Sequence, residues 1–111
     1  MKQGEIWLIN YPEGIGHEYF KERPALVIES DEQIAKTNVF TVAAMTSNTD
    51  NCIDSDILVA RDNHNNLSLD SVIKLHHIQS FDLSRFIKRV GKIKSEILDE
   101  VKRYLKIHFG L

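Results

Sequence analysis

The chain has 111 residues, of which 42% are hydrophobic and 27% charged, a composition typical of one globular domain with a modest core. No apolar run approaches the roughly 20 residues of a membrane-spanning helix, and the amino terminus lacks the apolar segment of a signal peptide. Cys52 is the only cysteine, so an internal disulfide is excluded and we expect a protein of the reducing cytoplasm.

The net charge of −2 conceals an uneven distribution of basic residues. Five of the 14 lysines and arginines lie within residues 1–73, and the other nine lie within residues 74–111. A basic C-terminal third is suited to contacts with phosphates. For any single lysine, however, a solvated surface charge is the simpler interpretation.

The first half of the chain predicts strands joined by a glycine-containing loop. Residues 5–11 have apolar side chains at both alternating sets of positions, which indicates a buried strand. Residues 13–22 contain two glycines and few apolar anchors, so we expect a flap that is mobile alone and ordered by a ligand. A second strand is predicted over 24–29, a turn at 30–32, and a third strand over 38–45.

The second half predicts more short strands and one helix. After a polar loop at 48–55, strands are predicted over 56–60 and, singly or as a pair, over 71–80. Asp82 is expected to cap a helical turn at 82–85. Ser95 is expected to cap a C-terminal helix whose apolar stripe includes Tyr104 and Phe109. We therefore predict one domain over 1–111, mainly β, in which a helix crosses a strongly bent sheet or barrel.

The loop and the strand after it hold residues suited to phosphoryl chemistry. His17 and Glu18 are each able to act as a general base or acid, and Pro24 restricts Arg23 to extended conformations. A guanidinium forks onto two phosphate oxygens, which suits it to a pentacoordinate transition state. The structural alternatives are a salt bridge between Arg23 and Glu18 or Glu22, and a histidine that is simply solvated.

Several segments in the same order resemble the MazF/PemK-type toxins, the ribonuclease toxins of bacterial toxin–antitoxin pairs. They cover nearly the whole chain: Gly4-Glu5-Ile6-Trp7-Leu8, Gly16-His17-Glu18, Arg23-Pro24-Ala25-Leu26-Val27-Ile28, Val42-Ala43-Ala44-Met45-Thr46-Ser47, Asp70-Ser71-Val72-Ile73-Lys74-Leu75 and Ile78-Gln79-Ser80-Phe81-Asp82-Leu83-Ser84-Arg85. The resemblance implies an SH3-like small β-barrel with a C-terminal helix, the fold shared by CcdB, MazF and PemK toxins.

The resemblance also implies an activity, that of a metal-independent endoribonuclease (mRNA interferase) without a cofactor. The ribose 2′-OH would attack the adjacent phosphorus and leave a 2′,3′-cyclic phosphate and a 5′-OH. His17 or Glu18 would act as base, and Arg23 and Thr46 would stabilise the phosphorane. The alternative for Thr46 and Ser47 is that their hydroxyls only cap their own turn.

The later strand departs from the family pattern of a basic residue, an aspartate and a Gln-x-Arg sequence. Lys74 keeps the basic residue, but His76 stands at the acidic position and Gln79 at that of the last arginine. Histidine accepts and donates protons near neutral pH, so we expect His76 to protonate the leaving oxygen. His76 and His77 point to opposite faces of a strand, which argues against a shared metal ion.

The resemblance implies three partners: single-stranded mRNA, a cognate antitoxin and a second copy of the chain. A homodimer is also favoured by Trp7, Phe40, Phe81 and Phe109, a large apolar surface for 111 residues to cover. Single-stranded RNA is expected because its bases are free to be splayed out and recognised. The residues predicted to contact RNA are Tyr19, Lys21, Ser47, Asn48, Lys74 and Gln79.

Two alternatives remain open at this point. CcdB-like toxins share the fold and poison DNA gyrase by protein contact alone, but they lack the Arg-Pro and Thr-Ser pairs that this chain has. The departures at His76 and Gln79 suit a third possibility, a catalytically degenerate member retained for binding a partner.

Overall fold

The computed structural model describes residues 1–12 and 21–111, and in these the chain forms six strands and two helices. In chain order they are β1 (Glu5–Tyr11), β2 (Lys21–Val27), α1 (Asp31–Ile34), β3 (Val39–Thr46), β4 (Asp56–Val59), β5 (Ser71–Asp82), a 3₁₀ turn (Leu83–Arg85), β6 (Phe86–Lys92) and α2 (Ser95–Phe109). The predicted bounds of the first strand are confirmed. So is the helical turn, where the Asp82 side chain accepts a hydrogen bond from the Ser84 amide.

The six strands form one antiparallel sheet in the order β4-β5-β3-β2-β1-β6. The loop after β4 reaches β6 at the other edge of the sheet, where the Lys92 amide donates to the His64 carbonyl at 2.9 Å. The backbone of β6 comes so close to this loop that a Cβ on Gly91 would lie 2.4 Å from the Asn65 carbonyl oxygen. The loop after β4 therefore connects the two edge strands of the sheet, β4 and β6.

Apolar side chains pack on both faces of this sheet. One core cluster includes Ile6, Leu26 and Ile73, and Val101 of α2 packs into it. The other includes Ile9, Val27 and Phe40. The central strands are buried on both faces, which explains why their sequences are apolar at successive positions rather than alternating.

β5 is a single strand, but its pairing with β3 is interrupted. Lys74 pairs with Ala44 and Ile78 pairs with Ala43, so residues 75–77 of β5 have no partner on β3. Leu75 is fully buried in the core, and His76 and His77 are exposed. The interruption divides β5 into two parts. Residues 71–74 pair with β4 and residues 72–74 also with the C-terminal part of β3, whereas residues 78–82 pair with the N-terminal part of β3, which begins at Val39.

Several sequence-based expectations for the elements are wrong in detail. β2 begins at Lys21 rather than Pro24, and a short helix occupies the predicted turn at 30–32. Lys94, not Ser95, is the N-cap of α2, because the backbone already turns helical at Ser95. Phe109 is 57% exposed and so lies outside the core that the helical stripe was expected to join.

The strand β6 was not predicted at all. Its sequence carries Lys88, Arg89 and Lys92, and among the strands of residues 1–12 and 21–111 it pairs with β1 alone. Charged side chains are common on edge strands because they discourage pairing with other chains. They also conceal the alternation of apolar residues that identifies a strand.

Residues 13–20 of the predicted flap lie outside the described residues. Lys21 and Glu22, which were assigned to the flap, belong instead to β2, where they pair with Tyr11 and Asn10. The expectation that the flap is ordered by a ligand stays a prediction.

Candidate active site

Arg23 and Thr46 lie on neighbouring strands at the same end of the sheet. β2 and β3 pair through Ala25 with Ala44, and continuing that register by two residues places Arg23 opposite Thr46. Pro24, which lacks an amide N–H, pairs with Leu8 of β1, next to the point where the β2–β3 ladder ends. Arg23 is half-buried and Thr46 is buried, so both side chains have restricted positions.

Two adjoining clefts share these two residues. The larger, about 400 Å³, lies between the ends of β2 and β3 and the loop before β5. The smaller, about 320 Å³, lies toward β5 and the loop after β3. The described residues that line the two clefts are Lys21, Glu22, Arg23, Pro24, Met45, Thr46, Ser47, Asn48, Asp50, Asn51, Leu67, Ser68, Leu69, Ser71 and Lys74. We call the two together the Arg23–Thr46 cleft.

The hydroxyl of Thr46 caps the turn after β3. Its Oγ1 accepts a hydrogen bond of 3.1 Å from the Asn48 amide. A hydroxyl that accepts one hydrogen bond still has its own proton to donate. The structural role foreseen for Thr46 is therefore present, and it leaves the O–H group able to donate into the cleft.

Lys74 reaches the cleft from β5 and is held by a carboxylate that sequence reasoning missed. Its Nζ lies 2.6 Å from Oδ2 of Asp56, whose side chain is only 2% exposed. The same oxygen accepts the Ile53 amide at 3.0 Å, whereas Oδ1 has no hydrogen-bond partner among the described residues. Asp56 pairs with Lys74 across β4 and β5, a register that the sequence does not reveal.

His76 lies against the C-terminal helix. Its Nε2 is 3.2 Å from the hydroxyl of Tyr104, and its ring centroid is 4.9 Å from that of His108. Neither His76 nor Gln79 is among the described residues that line the Arg23–Thr46 cleft. His76 falls within residues 75–77 of β5, where the pairing of β5 with β3 is interrupted.

The remaining predicted site residues divide into two groups. Lys21, Ser47 and Asn48 line the cleft beside Arg23. His17, Glu18 and Tyr19 lie outside the described residues, so their predicted roles stay predictions. Within residues 1–12 and 21–111, no group of three or more His, Cys, Asp or Glu side chains is placed to hold a metal ion.

Among the helices of the described residues, none is long and apolar enough to cross a membrane. The longest, α2, has 15 residues and carries charges along its exposed side.

Known proteins resemble this chain in sequence and in fold. The chain is 27% identical over 116 residues to endoribonuclease MazF9 of Mycobacterium tuberculosis, covering 100% of this chain and 98% of that protein. The fold matches the crystal structure of MazF from Deinococcus radiodurans with a TM-score of 0.82 at 22% identity, covering 100% and 97% of the two chains. The expected mainly β fold with a C-terminal helix is confirmed.

A second structural neighbour is an endoribonuclease from a mycobacterial species in complex with its cognate antitoxin. It has a TM-score of 0.77 at 13% identity and covers 100% of this chain and 96% of its own. The family model of PemK-like, MazF-like toxins matches residues 2–109 of this chain. The chain therefore belongs to the PemK-like, MazF-like toxins of type II toxin–antitoxin systems.

Proposed function

We propose that this MazF-like endoribonuclease cleaves single-stranded RNA in the Arg23–Thr46 cleft, by attack of the ribose 2′-OH on the adjacent phosphorus. The products would carry a 2′,3′-cyclic phosphate and a 5′-OH, and the reaction would need no metal ion. The observation that carries the proposal is the convergence of Arg23, Thr46 and Lys74 on adjoining clefts. The similarity to endoribonuclease MazF9 supports the class of reaction.

The three side chains match the charge that develops in this reaction. The phosphorane carries more negative charge than the phosphodiester, and its oxygens are best stabilised by donors already in place. The Arg23 guanidinium offers two parallel donors, Thr46 offers a hydroxyl, and the ammonium of Lys74 is held by the buried carboxylate of Asp56. None of these groups has to change its protonation state for this purpose.

The proton transfers are assigned to other residues. His17 or Glu18 would take the proton of the 2′-OH, and His76 would return one to the leaving oxygen, as the family resemblance implies. His76 contacts Tyr104 and does not line the Arg23–Thr46 cleft, so it would need a movement or a second copy of the chain before it meets the substrate.

The partners proposed are those of a toxin–antitoxin pair. MazE–MazF complexes of Deinococcus radiodurans share this fold, which supports an antitoxin as partner here. An antitoxin segment laid over Arg23 would block the cleft, and mRNA in the cytoplasm would be the substrate.

The test is cleavage of a long unstructured RNA transcript in the presence of EDTA. We expect the protein to cut the transcript and to leave ends that polynucleotide kinase labels without prior phosphatase treatment, since the ends carry a 5′-OH. Arg23→Ala should lose about 100-fold or more of the rate, the usual cost of removing a donor to the transition state. Arg103→Ala, an exposed arginine of α2, is the matched control and should cleave as the parent does.

Loss of cleavage in EDTA with recovery in Mg²⁺ would contradict the metal-independent mechanism. Absence of cleavage under every condition, with the fold intact by circular dichroism, would favour the degenerate or the gyrase-binding alternative.

A further inference from the structure

A groove of about 740 Å³, larger than either part of the Arg23–Thr46 cleft, opens at the other end of the sheet. Lys92 of β6 pairs with Glu5 of β1 at the groove, whereas Arg23 pairs with Ile9 at the cleft. Glu5 and Ile9 are four residues apart, which is about 13 Å along a strand. Four lysine and arginine side chains line the groove, Lys2, Arg89, Lys92 and Lys94, together with His64 and the carboxylates of Glu5 and Glu96. We call it the basic groove.

Two of these cations are available to an anion. Arg89 is bound to Glu5 at 3.0 Å, and Lys94 is 3.8 Å from Asp62. Lys2 and Lys92 are exposed, and their ammonium groups form no ion pair within the described residues. Glu96 also lines the groove, so its four lysine and arginine side chains exceed the carboxylates of Glu5, Asp62 and Glu96 by one positive charge, in a protein whose net charge is −2.

One loop borders both the basic groove and the Arg23–Thr46 cleft. Between β4 and β5, His64 lines the groove and Leu67, Ser68 and Leu69 line the cleft. A flexible polyanion that leaves the cleft along this loop therefore arrives at Lys2 and Lys92. The loop is itself fixed at this point, because the His64 carbonyl accepts the Lys92 amide.

We propose that the basic groove binds phosphates of the substrate RNA that flank the nucleotides held in the cleft. The proposal rests on the proposed cleavage of RNA. RNA suits both surfaces because it carries one phosphate at every nucleotide, and contacts to phosphates are independent of sequence. The groove then adds affinity for long RNA and takes no part in the chemical step.

The test compares two charge-matched double variants, Lys2→Gln/Lys92→Gln in the groove and Lys102→Gln/Lys106→Gln on α2. Lys102 and Lys106 are exposed and line neither the groove nor the cleft. Binding is measured by fluorescence anisotropy over a range of salt concentrations, with 2′-O-methyl RNA, which lacks the attacking hydroxyl. Two lengths are used, about 6 and about 24 nucleotides, which span the usual range of single-strand site sizes.

We expect the groove variant to bind the long RNA several-fold more weakly than the parent and to bind the short RNA equally well. The slope of log K against log salt for the long RNA should decrease in magnitude by about 1.4, since each lost contact to single-stranded nucleic acid contributes about 0.7. The α2 variant should match the parent with both RNAs.

Equal effects of the two double variants, or no effect of either, would overturn the proposal. So would a loss confined to an acidic peptide used in place of RNA, which would assign the groove to a protein partner. Because the RNA in this assay cannot be cut, the result is separate from the proposed cleavage. A parent that binds long RNA through the groove but cuts no RNA would refute only the nuclease mechanism.

Discussion

At the scale of single residues, the Thr46 side chain has both a structural role, in capping a turn, and a proposed chemical role. Its oxygen accepts the Asn48 amide, and its hydroxyl proton remains to be donated in the cleft. A substitution that keeps the shape but removes the hydroxyl takes away both functions. A substitution that keeps the hydroxyl preserves both.

Thr46→Val should therefore lower the single-turnover rate of RNA cleavage by about 100-fold, the usual cost of losing one donor to a transition-state oxygen. Thr46→Ser is the control and should retain most of the rate. Thermal denaturation of both variants separates lost capping from lost catalysis. A valine variant that cleaves as fast as the parent would show that Thr46 serves only its turn.

His76 tests the departure from the family pattern. If His76 replaces the aspartate as the acid, His76→Asn should lose about 100-fold of the cleavage rate, the usual contribution of an acid or base. His77→Asn should lose little, and His76→Asp should keep the activity. Should the asparagine variant cleave normally, the proton must come from elsewhere, and the role passes to His17 and Glu18.

At the scale of the elements, Glu5 links β1 to β6 through its ion pair with Arg89. Its carboxylate accepts hydrogen bonds from the Trp7 indole at 2.9 Å, the Lys2 amide at 3.0 Å and Arg89 at 3.0 Å. Burial raises the pKa of Glu5, but these hydrogen bonds and the charge of Arg89 outweigh it, so the pKa lies below its ordinary value of 4.5.

This lowered pKa gives a pH dependence with a definite sign. The stability from Glu5 is complete above the ordinary pKa of 4.5 and is lost as the pH falls through the lower pKa of the folded state. Denaturation by urea should show Glu5→Gln less stable than the parent at neutral pH, with a difference that shrinks in acid. Glu96→Gln, at the exposed start of α2, is a control and should show a smaller change. A constant difference across the pH range would contradict the assignment.

Gly91 sets how closely β6 approaches the loop after β4. In Gly91→Ala the new Cβ would meet the Asn65 and His64 carbonyl oxygens at 2.4 and 2.5 Å, so backbone must move. We expect a loss of about 1–3 kcal/mol in the free energy of unfolding, as for other overpacked sites. A Cβ added at Gly110 would meet nothing within 4 Å, but Gly110 has a φ of 69°. Gly110→Ala should therefore lower the free energy of unfolding only through strain in the left-handed backbone, by about 1 kcal/mol. Equal losses in the two variants would argue against the close approach.

The sequence predicted those parts of the fold that depend on residues close together in the chain. Glu5–Tyr11 is apolar at successive positions because both faces of β1 are covered, and Asp82 caps its turn through a contact two residues away. Arg23 and Thr46 were found through short motifs, and β2 and β3 place them together. β6, the Lys74–Asp56 pair and the contact of His76 with α2 depend on register between distant strands or packing against the helix, which no short segment encodes.

At the scale of the whole molecule, the exposed apolar surface lies elsewhere than expected. Phe40 and Phe81 are buried within the chain and so give no support for a dimer. Ile107, Phe109 and Leu111 at the end of α2 are 70%, 57% and 90% exposed, and the ring of Phe109 contacts His108. An exposed apolar helix end of this kind is typical of an interaction surface.

We therefore expect a homodimer in which the end of α2 takes part. Light scattering should give twice the mass of the chain at tens of micromolar, a range in which biological dimers normally persist. Ile107→Ser/Phe109→Ser should shift the mass toward the monomer, and Val39→Ser, at an exposed apolar residue of β3, is the control. A parent that is monomeric at these concentrations would overturn the prediction.

The pairing of β1 with β6 also determines when the protein can complete its fold. Arg89 and Glu5 are separated by 84 residues, and α2, which covers one face of the sheet, comes later still in the chain. Contacts between distant segments form slowly, because a long loop must close before they repay its entropy. A nascent chain on the ribosome presents β1 and β2 long before β6 and α2 exist to complete the sheet. Synthesis thus imposes a delay between the appearance of Arg23 and the completion of the sheet on which Arg23 lies.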